Sequence, residues 1–368
     1  MSLPALTPLV ESLPATVPFV GPEHQERARG RSFVARIGAN ESVFGPSPAA
    51  VEAMRKAGPE AWMYCDPNMH DLRMAIADYN GIDPASIVIG EGIDGLFGNT
   101  VRLVVGSGDK VVTSLGAYPT FNYHVAGFGG ELIMVPYRDD HEDPDALIKA
   151  AEEHRPKLVF LANPDNPMGT WQSADKINAM VDALPDGTML CLDEAYIEFA
   201  PGGTAPDWNT DDHRLIRFRT FSKAHGMAGL RIAYAVTHPD TAKAFDRIRN
   251  HFGVNRVAQE AAIAALGDQD HLAYVQREVA AARDRIGAIA AENGLTALPS
   301  ATNFVAIDCG RDGDYARAVL AALIDRDIFV RMPGPAPLDR CIRVGAGTPA
   351  DLDAFAAALP EALKAAFV

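Results

Sequence analysis

The chain has 368 residues, 48% apolar and 22% charged, a composition suited to one large soluble domain with a smaller one beside it. Its formal net charge of −15 argues against a nucleic-acid partner, which would need a basic face. The four cysteines, at positions 65, 191, 309 and 341, have no CxxC or other ligand spacing, so neither a disulfide frame nor a metal site is expected.

Residues 1–35 carry prolines at 4, 8, 14 and 18 and read as an N-terminal arm with at most one short helix. They lack the charged start of a signal peptide, and no apolar run approaches the roughly 18–20 residues of a membrane span. A cytoplasmic protein is therefore expected. A turn-rich loop, Ile37 to Pro48, precedes a helix opened by Ser47 or Pro48, and a second loop, Tyr64-Cys65-Asp66-Pro67, precedes a helix at about 70–80.

From there strands and helices alternate. Short apolar runs at 87–89, 110–114, 131–135, 157–161, 188–192, 215–221 and 232–236, most of them separated by helical stretches, predict an α/β domain. Its sheet should be mostly parallel and covered on both faces. After Gly253 alanine-rich helical periodicity takes over at 258–266, 271–292, 314–325 and 350–367, with short strands near 303–307, 328–331 and 341–344. The expected division is an arm over 1–35 packing with the small domain, a large domain over 36–262 and a small α+β domain over 263–368.

The chemistry gathers where strands end. Phe218-Arg219-Thr220-Phe221-Ser222-Lys223 closes a strand with a lysine, two hydroxyls just before it and Arg231 eight residues on. Burial disfavours a charged amine and makes it a nucleophile toward an aldehyde, while Thr220, Ser222 and Arg231 offer donors to a phosphate beside it. Pyridoxal phosphate is an aldehyde that carries a phosphate. A surface lysine with a paired arginine would look the same over this stretch alone. Gly90-Glu91-Gly92-Ile93-Asp94 turns a strand into a helix start, whose free N–H groups favour an anion, although plain strand-to-helix turns share that form. Phe121 is an aromatic that could stack on a planar ring or fill the core. Asn163-Pro164-Asp165-Asn166-Pro167 puts amides at another strand end, in ordinary turn chemistry. Asp193 ends the strand before Glu194-Ala195-Tyr196, where an acid could hold a ring nitrogen protonated or cap a helix. Individually these are ambiguous. Together they place an anion site, an aromatic, an amide, an acid, a tyrosine and a lysine at successive strand ends.

With ANESVFGPSP, YCDP, GEGIDGLF, YPTFNY, NPDNPMGT, DEAYIEF, TFSKAHGMAGLRIAY, TNFVAI and CIRVGAGT on view, the sequence resembles the fold-type-I pyridoxal-phosphate-dependent aminotransferases. The resemblance is strongest to the histidinol-phosphate aminotransferase family and runs from about Asn40 to the C-terminus. It implies an amino-acid-biosynthesis enzyme moving an amino group from histidinol phosphate, or a similar anionic amine, to 2-oxoglutarate through a Lys223 aldimine. It implies that Asp193 pairs with the ring nitrogen, that Asn166 and Tyr196 hold the ring hydroxyl oxygen and that Phe121 stacks on the ring. Ile93, Asp94, Thr220, Ser222 and Arg231 are implied to take the phosphate, and Tyr64 to reach the cofactor of a second subunit in a homodimer. Arg343 and Arg331, with Asn40 and Phe44, are implied on the substrate side.

The chain departs from the family's pattern at Ser42, Val43 and Phe44, where an Asn or Tyr followed by Pro is usual. It departs again at Phe121, where tyrosine is frequent, and at Met168, where threonine is commoner. An aromatic or other amino-acid aminotransferase, with Phe44 lining an apolar pocket, and a decarboxylase of the same fold are the alternatives.

Overall fold

The computed structural model describes residues 5–15 and 20–367. Among the described residues twelve strands run in chain order: β1 (Ala35–Arg36), β2 (Ile87–Gly90), β3 (Lys110–Ser114), β4 (Glu131–Val135), β5 (Leu158–Ala162), β6 (Met189–Asp193), β7 (Leu215–Thr220), β8 (Ala233–Thr237), β9 (Thr296–Ala297), β10 (Phe304–Asp308), β11 (Ile328–Phe329) and β12 (Cys341–Gly345). Seven form the main sheet in the order β2-β8-β7-β6-β5-β3-β4. Only β8 runs against its neighbours, β2 and β7; the other pairings are parallel. Every residue of β5 is buried, as are all but one in β6 and in β7, because helices cover both faces.

On one face Phe97, from helix Gly92–Val104, makes edge contacts with Phe121, Phe160 and Phe218, with ring centroids 4.9–5.5 Å apart. Helix Arg256–Gly267 packs on the helices Pro48–Ala57 and His70–Asn80. The expected division at 262/263 cuts this helix, whose alanines pack into the same apolar cluster as β2 and β8. Ser47 starts Pro48–Ala57 by accepting the Ala50 N–H, as its position predicts.

A second, antiparallel sheet, β12-β10-β9, carries the helices Gln269–Glu292 and Gly313–Asp325, and Pro349–Ala365 packs on both of these and on β1 and β11. The arm's β1 pairs in parallel with β11, tying it to this half of the molecule. Among the described residues the arm has two short helices, Pro8–Ser12 and Pro22–Arg29, not one; each begins on a proline whose fixed φ suits a first turn. Arm residues 1–4 and 16–19 lie outside the described residues. No described helix is long and apolar enough to cross a membrane.

Candidate active site

β2, β3, β5, β6 and β7 all run in one direction, so their carboxyl ends share one rim, where open α/β sheets bind ligands. A cavity of about 400 Å³ opens there. Asn40, Ile93, Asp94, Tyr118, Asn166, Asp193, Tyr196, Thr220, Ser222, Lys223, Arg231, Arg331 and Arg343 all line it. The chain thus gathers into one wall groups that lie far apart in sequence.

Lys223 follows β7 by three residues. Its Nζ donates to the Asn40 carbonyl oxygen at 3.0 Å and sits 5.4 Å from the Tyr196 ring centre. Asn40 has a left-handed backbone (φ 55), which asparagine tolerates, and its amide donates to the Tyr196 hydroxyl at 3.0 Å.

Asp193 and Glu194 are consecutive, and strand geometry sends them to opposite faces. Glu194 faces away from the cavity and accepts from Arg217 Nη2 at 2.7 Å and Arg219 Nε at 3.1 Å, with Trp208 stacked on both guanidiniums. Burial by itself would raise its pKa; the two arginines outweigh that and hold it below the usual range. Among the described residues Asp193 faces the cavity with a single protein donor, the Ala195 N–H at 3.0 Å. Burial, with the Asp94 charge adding to it, pushes its pKa up to about 7. A buried acid with one donor and an open side suits a cationic ring N–H.

The rim between β2 and β7 suits an anion. Gly92 has φ +78, and a Cβ there would come 2.0 Å from Arg231 Nη2, so only glycine lets the guanidinium lie against the helix start. Arg231 donates to the Ser222 hydroxyl at 3.4 Å, and Thr220 Oγ1 donates to Ser222 Oγ at 3.0 Å. The helix Gly92–Val104 adds the unpaired N–H groups of its first turn and its positive dipole end. Acid, amine and anion cradle together fit a planar ring that bears a nitrogen, an aldehyde and a phosphate.

Opposite them Arg331 and Arg343 lie side by side through an antiparallel backbone bridge. Arg343 N donates to Arg331 O at 2.6 Å, and Arg331 N to Arg343 O at 3.2 Å. Arg343 Nη1 also donates to Asn166 Oδ1 at 2.6 Å, and burial pushes its pKa down to about 10. Arg331 donates to the Val20 carbonyl at 2.8 Å, so the arm closes over this corner.

Two expected residues, Phe121 and Phe44, are placed elsewhere, while Tyr64, expected at a second subunit's cofactor, lies outside its own chain's cavity. Phe121 is fully buried, its ring stacked on Phe160 at 4.5 Å, and does not reach the cavity. The aromatic at the wall is Tyr118, just before helix Pro119–Gly127, near Asp94 Oδ2 at 3.5 Å. The signal for it was available: Tyr118 sits at the strand-to-helix turn, whereas the third residue of the helix points back into the core. Phe44 packs edge-on against Tyr274 with centroids 6.3 Å apart and does not line the cavity. Tyr64 is 79% exposed, tilted on Phe252 at 4.8 Å, outside its own chain's cavity. The sequence reading also missed Met332, Pro333 and Gly334, loop residues with no chemical signature, which complete the wall.

The family model for aminotransferase class I and II matches residues 34–359. The chain belongs to that family. This aminotransferase is 36% identical over 337 residues to histidinol-phosphate aminotransferase 1 of Mesorhizobium japonicum, covering 90% of each chain. It is 36% identical over 370 residues to the histidinol-phosphate aminotransferase of an Anaeromyxobacter species, covering 99% of this chain and all of the relative. Its fold superposes with TM-score 0.96 and 55% identity on a crystal structure of histidinol-phosphate aminotransferase from Sinorhizobium meliloti in complex with pyridoxal 5'-phosphate, over 99% and 98% of the two chains.

Proposed function

We propose that this aminotransferase uses pyridoxal phosphate to move an amino group from histidinol phosphate, or a closely similar anionic amine, to 2-oxoglutarate. The observation that carries the reading is one cavity faced by the Lys223 amine, the singly hydrogen-bonded Asp193 carboxyl and the Gly92–Arg231 anion cradle. The similarity to histidinol-phosphate aminotransferases supports the choice of donor.

When bound, pyridoxal phosphate supplies an electron sink for the bond next to the migrating nitrogen. The chain's own residues do the rest. Thr220, Ser222, Arg231 and the helix start hold its phosphate, and Asp193 keeps its ring nitrogen protonated. Tyr118 would lie against the ring, and Tyr196 and Asn166 would hold the ring oxygen. Lys223 would bind the cofactor aldehyde, and its Nζ would hold and give up the proton that the exchange moves, as acid and base. Arg331 and Arg343 clasp the anionic end of the donor, because two guanidiniums match a phosphate dianion better than one.

The working unit in this proposal is a homodimer of a cytoplasmic enzyme. Its support is that Tyr64 and Phe252 (50%) pair as exposed aromatic rings, with Trp62 (82%) exposed two residues from Tyr64, and that all four cysteines are free thiols. Phe44 lies off the cavity, so the aromatic-donor alternative loses the residue it relied on. The test is a donor panel with 2-oxoglutarate, comparing histidinol phosphate with phenylalanine, tyrosine and leucine, for the wild type and Lys223→Ala. The reading requires preference for histidinol phosphate and turnover reduced by about 10³-fold or more in the variant. A preference for a non-phosphorylated donor, or an active Lys223→Ala enzyme, rejects it.

A further inference from the structure

Asn303 is 1% exposed and stands immediately before β10, in the smaller half of the molecule. Its main-chain carbonyl accepts the Ala346 N–H at 2.7 Å, which ties it to the end of β12, the strand that carries Arg343. One residue earlier the Gly345 N–H donates to the Ile37 carbonyl at 2.6 Å. This end of the small sheet is thus bonded to the segment that leads into Asn40.

The Asn303 side chain reaches the same segment. Nδ2 donates to the Asn40 carbonyl at 3.1 Å and, at a longer 3.4 Å, to the Glu41 carbonyl. Both partners can only accept, so the end that faces them is the NH2; a flipped amide would set oxygen against oxygen. The other end shows the cost: Oδ1 is buried with no hydrogen-bond partner among the described residues. A buried acceptor left unserved is destabilising, and an aliphatic side chain of similar size would avoid it. What the amide contributes at this position is its NH2.

The Asn40 carbonyl is also the acceptor of Lys223 Nζ, at 3.0 Å. A carbonyl oxygen has two lone pairs, and here two donors share them. The donors differ in permanence. An amine that bonds to an aldehyde gives up this contact, and a buried carbonyl without a donor is destabilised. The amide donor stays. The need is acute because Asn40 holds a left-handed turn (φ 55), so an unanchored peptide there has a lower-energy conformation to relax into.

We propose that Asn303 is a positioning residue for Lys223: its amide fixes the Asn40 carbonyl as a standing acceptor to which the freed amine returns. This rests on the reading of Lys223 as the residue that takes the cofactor aldehyde. Asn303 itself lies outside the cavity lining and acts through the main chain of Asn40. One side chain thereby joins the strand of Arg343 to the resting place of the amine.

Two cofactor forms, offered to the cofactor-free full chain, test the role. Pyridoxal phosphate is captured by Lys223 as a bonded aldehyde, which absorbance reads. Pyridoxamine phosphate has the same ring and phosphate and no aldehyde. Asn303→Ala removes the donor, and Asn303→Leu removes it while filling the space. In both, capture of pyridoxal phosphate should slow about tenfold, as for the loss of one hydrogen bond, while affinity for pyridoxamine phosphate stays within about twofold. Turnover should fall by a similar factor in kcat, with KM for the amino donor within about threefold. Unchanged capture in either variant, or a loss of pyridoxamine phosphate affinity in step with capture, overturns the proposal. Either variant suffices should the other not fold. Lys223→Ala, run beside them, reports on the underlying reading: a bonded-aldehyde absorbance in that variant would remove Lys223 from its role, whatever the Asn303 variants do.

Discussion

Lys223 Nζ donates to the main-chain carbonyl of Asn40 at 3.0 Å, joining groups 183 residues apart in the chain. The same asparagine holds the Tyr196 hydroxyl and, through its carbonyl, the Asn303 amide at 3.1 Å. The amine is therefore positioned by the loop that precedes the first long helix, and not by its own strand alone. Asn40→Gly should keep the left-handed turn but lose the hold on Tyr196. We expect roughly tenfold lower kcat with near-normal cofactor affinity, since one hydrogen bond is removed. Steady-state kinetics beside a cofactor titration checks this, and a variant that fails mainly in cofactor binding contradicts it.

Asp193 gives a prediction about pH. Its folded pKa, about 7, is above the ordinary carboxyl value of 3.8. The stability it contributes to the cofactor-free protein is thus fully present below about pH 4 and is lost as pH rises toward 7, on the order of 4 kcal/mol in all. Asp193→Asn lacks that loss. Cofactor-free Asp193→Asn should melt higher than cofactor-free wild type at pH 8, with a smaller difference at pH 5. Bound pyridoxal phosphate should reverse the order, because only the acid gains a cation. Equal melting differences at both pH values would contradict the assignment of the shift.

Gly92→Ala tests the anion cradle without replacing a charged residue. The added methyl would meet the Arg231 guanidinium and force a strained φ. Displacing one charge-assisted donor should weaken cofactor binding about ten- to hundredfold, comparably to Arg231→Ala. Ordinary cofactor affinity in Gly92→Ala would mean that Arg231 does not serve the phosphate.

Arg331→Ala should lower kcat/KM for histidinol phosphate roughly ten- to hundredfold while leaving non-phosphorylated donors within about threefold. An equal loss for every donor would assign Arg331 to closing the arm through the Val20 carbonyl instead.

Tyr118 and Phe121 should separate site from core. Phe121→Ala empties a fully packed position and should cost about 3–5 kcal/mol of stability. Tyr118→Ala should cost less in stability and more in cofactor affinity. Melting curves with a cofactor titration distinguish the two, and the reverse pattern would restore Phe121 to the cofactor.

These residues also show what a single sequence discloses. The strands of the main sheet were legible because fully buried parallel strands are short apolar runs between turns, and Thr220, Ser222, Lys223 and Asp193 were legible because they sit at the ends of such runs. Phe121 was the less legible case: Tyr118 and Phe121 lie three residues apart where the chain enters one helix, and only packing decides which faces out. The antiparallel β8 could not be told from a parallel strand, because its burial on both faces erases any alternation.

The cross-bridge between Arg331 and Arg343 has a consequence for inhibitors. Both guanidiniums spring from main-chain positions locked to each other by reciprocal hydrogen bonds, so their roots cannot spread. The pair works as a caliper of set gauge. Compact, rigid oxyanions should fit it with little entropy lost, whereas long flexible diacids would have to bend to its width.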